Sequence, residues 1–80
     1  MTLVELTDYL VKSLVNDKEA VLVSEEKTNS GTIINVLVPE NEMGAVIGKN
    51  GKIANAIRTV VQAAAYTTKE GHVKINIDKK

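Results

Sequence analysis

Leu3, Leu6, Leu10 and Leu14 recur at helical spacing, with Tyr9 and Val11 beside them. This pattern predicts an amphipathic helix from Thr2 to about Asn16. Thr2 followed three residues later by Glu5 is a capping-box pattern, in which hydroxyl and carboxylate each satisfy an N–H that a helix start leaves without a partner. Asp8 and Lys12 form an i, i+4 pair on the polar side. Asn16-Asp17 ends the helix.

The pattern then changes to β-branched residues, which predict strands over Ala20–Lys27 and Thr32–Val38. Thr28-Asn29-Ser30-Gly31 between them is turn chemistry, so the two strands form an antiparallel hairpin. Pro39 stops the second strand, because it has no N–H for a ladder and its fixed φ suits a helix entry. A short helix from Glu40 to about Ile47 follows, with Glu40 and Glu42 at its positive end. Beyond the turn Gly48–Gly51, Lys52 to Tyr66 is the longest helical stretch. Its expected core stripe is Ile53, Ile57, Val60 and Ala64, with Ala54, Val61 and Ala65 as a second apolar strip alongside. Thr67 to Gly71 is a loop. Val73, Ile75 and Ile77 alternate with Lys74, Asn76 and Asp78, the pattern of a half-buried strand. The order α-β-β-α-α-β implies one α+β domain over residues 1–80, with helices on one face of a three-stranded sheet.

Composition narrows the chemistry. The chain has no cysteine, hence no disulfide framework and no thiolate metal site. Phe and Trp are absent, and Tyr9 and Tyr66 are the only aromatics. No signal-peptide pattern and no membrane-length apolar run is seen, so the cytoplasm is the expected setting. Formal net charge is zero, but the charges are not mixed evenly. From Met43 to Thr68 the only charged residues are Lys49, Lys52 and Arg58. Carboxylates dominate the chain before that segment. For a short contact the local sign matters more than the total.

That segment holds Val46-Ile47-Gly48-Lys49-Asn50-Gly51-Lys52-Ile53, a Gly-x-x-Gly turn between two helices with a lysine inside it. Glycines admit close backbone approach, and a helix starting at Gly51 or Lys52 points free N–H groups over the turn, which suits an anionic backbone. The spacing is wrong for a nucleotide-binding P-loop. Gly44 and Gly48 are separated by three residues rather than four, Asn50 stands where the metal-binding hydroxyl belongs, and a helix precedes the turn where a strand should. A DNA-reading helix–turn–helix would need polar side chains where Ile53, Ala54, Ala56 and Ile57 stand.

The glycine turn, the Val-Ile before it, the lysine inside it and the element order together resemble the type II (bacterial) KH domain of RNA-binding proteins. The likeness covers essentially the whole chain. The stretch from Gly51 to Val61 is similar to the small stand-alone bacterial KH proteins. The resemblance implies a groove for about four unpaired nucleotides. Gly48 and Gly51 would permit approach of the sugar-phosphate backbone, with Lys49 and Asn50 as the variable turn residues. Ile47 and Ile53 would form an apolar floor under the bases. Lys52 and Arg58 complete the expected RNA-binding set. The two helices would form one wall and the adjacent strand the other. The resemblance also implies a homodimer, or pairing with a larger KH-containing protein, and a role in RNA-mediated regulation. The Ala54–Val61–Ala65 strip is the expected dimer contact. A second reading makes the chain a dimerisation adaptor with only residual RNA binding.

No catalytic constellation stands beside this site. His72 is alone and reads as solvated. Glu25 and Glu26 are neighbours on a strand and face opposite sides. Ser13, Ser24 and Ser30 have no base at a suggestive spacing. Tyr66 could stack a base, but it lies far along the long helix from the turn. The expectation is a binding protein that is not an enzyme and has no cofactor, metal or small-molecule substrate.

Overall fold

The predicted capping box forms at the head of α1 (Leu3–Lys12): Thr2 N donates to Glu5 Oε1 at 2.8 Å and Glu5 N to Thr2 Oγ1 at 3.1 Å. The computed structural model describes all 80 residues. The Asp8–Lys12 pair closes at 3.0 Å. The helix ends sooner than its leucine spacing implies. The Ser13 backbone and hydroxyl both donate to the Tyr9 carbonyl, and Leu14 N bonds back to Val11 O, tightening the last turn. The buried line of α1 is Leu3, Thr7 and Val11, continued by Val15 beyond the helix. Leu6 and Leu10 pack on its flank and Leu14 is exposed. Thr7 is accommodated inside because its hydroxyl donates to the Leu3 carbonyl at 2.8 Å.

The hairpin is β1 (Leu22–Thr28) and β2 (Gly31–Val38), in antiparallel register from Leu22↔Leu37 to Thr28↔Gly31. The third strand, β3 (Val73–Lys79), lies parallel to β2 from Thr32↔Val73 to Val38↔Lys79, giving the order β1-β2-β3. Parallel neighbours need a long crossover, and the remaining helices supply it. Thr32, Ile34, Val36 and Val38 alternate inward on β2, joined by Val73 and Ile75 of β3. The opposite face carries Ser24, Asn35 and Asn76 in one row, with Asn76 Nδ2 donating to Asn35 Oδ1 at 3.2 Å.

After Pro39 the chain makes a 3-10 turn, Glu40–Glu42, and then the short α2 (Met43–Ile47). Glu42 does not cap that helix. Its buried carboxylate accepts from the backbone N–H groups of Asn16 and Asp17 at 2.6 and 3.1 Å, tying the end of the α1 segment to the start of α2. Glu40 stays exposed and pairs with Lys79 at 3.7 Å.

The long helix α3 (Lys52–Thr67) is present, but its buried line is not the expected one. Ala54, Ile57, Val61 and Ala65 are buried, whereas Ile53 and Ala64 are partly buried and Val60 is 46% exposed. The strip expected to meet a second copy is therefore the domain's own core. Ala54, Val61 and Ala65 are not available as a dimer contact. The physical reason is close packing: α3 packs against both α1 and β3, and small alanines on its buried line let its backbone approach its neighbours.

Candidate nucleic-acid interface

The glycine turn is shaped by three departures from ordinary backbone within four residues. Gly48 has φ 76°, Asn50 φ 58° and Gly51 φ 76°. Gly48 N bonds back to Gly44 O at 2.9 Å and closes α2, while Gly51 N bonds to Gly48 O at 3.2 Å and closes the turn itself. A Cβ on Gly48 would lie 2.6–2.9 Å from three side-chain carbons of Ile53. Glycine is thus required there twice, for its conformation and for the space that Ile53 occupies. At Gly51 only the conformation demands it, since the nearest neighbour would be Asn55 Nδ2 at 3.9 Å. No side chain caps the start of α3. The positive end of that helix stays open beside the turn.

The expected site residues fall as follows. Lys49, Asn50 and Lys52 are exposed around the turn, with Gly48 and Gly51 partly covered between them. Ile47, at the end of α2, and Ile53, against Gly48, are half-buried, and Ile53 also packs on the core. Arg58 lies two helical turns further along α3. Its Nη1 donates to Asn55 Oδ1 at 3.1 Å and its Nε to the Ile75 carbonyl at 3.4 Å. Every ion pair in the molecule involves Lys12, Lys27 or Lys79. Lys49, Lys52 and Arg58 therefore keep their charge unpaired. No group of three His, Cys, Asp or Glu side chains is placed to hold a metal ion, and no helix is long and apolar enough to cross a membrane.

A groove of about 650 Å³ runs between the outer side of α3 and β3. Arg58 is the one expected site residue on its wall. The others that matter were not in the expected set: Gln62, Tyr66, His72 and Lys74. Gln62 works as a clamp. Its Nε2 donates to the Gly71 carbonyl at 2.9 Å and its Oε1 accepts from Val73 N at 2.9 Å, so α3 braces both the loop before β3 and the strand's free edge. Tyr66 and His72 lie six residues apart on either side of that loop, a juxtaposition that helix and strand periodicity do not reveal. The exposed side of an α3 wheel, had it been laid against the strand that follows, would have pointed to Gln62 and Tyr66.

Three helices on one face of a three-stranded mixed sheet, with a glycine turn joining the second helix to the third, define a KH domain of type II. The profile described as "KhpA/KhpB, KH domain" matches residues 4–77. The chain belongs to that family. It is 46% identical over 66 residues to the RNA-binding protein KhpA of Caldanaerobacter subterraneus subsp. tengcongensis, covering 82% of this chain and 88% of that protein. Against the RNA-binding protein KhpA of Clostridium perfringens it is 49% identical over 61 residues, 76% of this chain and 81% of the relative. Among solved structures it is similar to Era in complex with MgGDPNP and nucleotides 1506–1542 of 16S ribosomal RNA, with TM-score 0.67 and 13% identity. That match covers 98% of this chain but only 30% of the Era chain, and at such identity the likeness is one of fold.

Proposed function

We propose that this protein binds single-stranded RNA, holding the sugar-phosphate backbone on Gly48-Lys49-Asn50-Gly51 and performing no chemistry on it. The observation that carries the reading is the turn itself. Two glycines at positive φ open the backbone beside an uncapped helix start, and the only charged side chains from Met43 to Thr68, Lys49, Lys52 and Arg58, are cationic and free of ion pairs. Such a surface suits a strand of phosphates. Proteins of the same family named for RNA binding support it. Ile47 and Ile53 supply apolar surface for bases beside the seat. The test is a titration of the isolated protein with a single-stranded RNA, read by backbone amide shifts. Shifts centred on residues 47–53 are expected. Replacing Lys49 and Asn50 together by Asp puts two negative charges where phosphate sits and should abolish those shifts with the fold intact. Unchanged affinity in that variant would show that the turn is not the seat.

The same reading makes the protein a participant in RNA-mediated regulation, as a homodimer or with a KhpB-type partner. Such pairing needs a surface other than the buried line of α3. The uncovered face of the sheet offers one, where Leu22 and Leu37 sit opposite each other across β1 and β2 and both are exposed. That pair also favours the adaptor reading, in which protein contact comes first. Leu22→Lys with Leu37→Lys leaves the core untouched and should give a monomer in sedimentation if this face pairs. A wild-type chain that sediments as a monomer at high concentration would remove the self-association.

A further inference from the structure

The far end of the α3–β3 groove from the glycine turn is walled by Tyr66. Tyr66 lies fifteen positions after Gly51, about 22 Å at the rise of an α-helix. The ring is 65% exposed and takes no part in the core. Beside it the groove has a partly apolar lining, Ala63, Val73 and Ile75, and two cations without ion pairs, Arg58 and Lys74. No carboxylate lines it. The acid closest in sequence, Glu70, is occupied elsewhere, by Thr68 Oγ1 at 2.9 Å and Lys27 at 3.5 Å. The opposite wall is held in place by the Gln62 clamp on Gly71 and Val73. An exposed aromatic face at the end of a braced, cationic, carboxylate-free groove matches what an unpaired nucleotide offers: a π-face and a phosphate.

We propose that Tyr66 is a stacking platform for an unpaired nucleobase, extending the RNA site beyond the nucleotides seated on the glycine turn. This rests on the RNA-binding reading above and adds a second point of attachment at the other end of α3. A strand confined to the turn does not reach Tyr66, whereas a longer one follows α3 past Arg58 and stacks a base on the ring.

The chain provides its own reporter. It has no Trp and only two Tyr, so Tyr9→Phe leaves Tyr66 as the sole emitter. That variant is titrated with oligouridylates of about four and about ten nucleotides, following tyrosine emission, while 5′-labelled copies of the same RNAs give affinities by anisotropy. The longer RNA should quench the emission and bind about 5- to 10-fold more tightly than the shorter one, which should leave emission unchanged. Tyr66→Ala should erase that length advantage and Tyr66→Phe should keep it. Binding of the longer RNA with unaltered emission and an unaltered affinity in Tyr66→Ala would overturn the platform while leaving the turn in place. Quenching that persists when Lys49 and Asn50 are both Asp would uphold the platform and move the backbone seat elsewhere. Absence of any binding to either RNA would overturn both.

Discussion

At the scale of single residues, the two turn glycines are not equivalent. Gly48→Ala has to fit a methyl group into the space of Ile53 and also hold φ 76°, whereas Gly51→Ala meets only the second demand. The first substitution should cost about 2–3 kcal/mol and the second about 1 kcal/mol, read as shifts in urea midpoint. Ile53→Ala in the Gly48→Ala background should recover part of the difference. The turn was legible in the sequence because its information is local: two glycines, the lysine between them and the apolar pair before them. Glu42 shows the other side. Its acid was expected at the head of its own helix, but its partners are Asn16 and Asp17, more than twenty residues earlier. No spacing rule reaches that far. Glu42→Ala leaves two backbone donors without their acceptor and should destabilise by about 1–3 kcal/mol.

At the scale of elements, all three helices and all three strands could be read from period and punctuation, and the hairpin turn and the capping box were found where expected. What the pattern left open was phase. An apolar arc on α3 runs from Val60 through Ile57 to Ala65, and a wheel does not say which part of a wide arc faces inward. Size decided it, with the alanine-rich side turned to the crowded interior and Val60 left at the rim. The consequence is measurable. Val61→Ala should cost roughly 2 kcal/mol and Val60→Ala less than about 0.5 kcal/mol, and Val61→Lys should unfold the domain rather than yield a folded monomer. The first helix carries a pH dependence of its own. The hydrogen bond from the Thr2 backbone, then that from its side chain, holds the Glu5 carboxyl below its ordinary range. A depressed folded value means support that is present above the unfolded value and lost as pH falls through the folded one. The start of α1 should therefore fray on acidification, seen as faster amide exchange at its first turn; Glu5→Gln should remove that acid-dependent step, whereas Thr2→Ala, which keeps the backbone donor, should only weaken it.

At the scale of the whole molecule, a formal charge of zero conceals a division of labour. The lysines of β1, α1 and the C-terminal end of β3 are tied to carboxylates. The cations beside the turn and along the groove, Lys49, Lys52, Arg58 and Lys74, are not, nor are Lys18, Lys69 and Lys80. If the RNA runs from the turn along the groove, the cations there neutralise at most about four of its phosphates. For single strands each contact contributes roughly −0.7 to the slope of log K against log salt, so a limiting slope near −3 is expected, with affinity in the micromolar range and a preference for unpaired RNA over duplex. A strand too short to pass Arg58 should show a slope nearer −2, because Lys74 lies beyond its reach. The measurement is affinity for both lengths at several salt concentrations. A common slope for the two lengths would confine all phosphate contacts to the turn. A slope steeper than about −4 would demand a basic surface that the fold does not present around this site, and would shift the search for the RNA path away from α3.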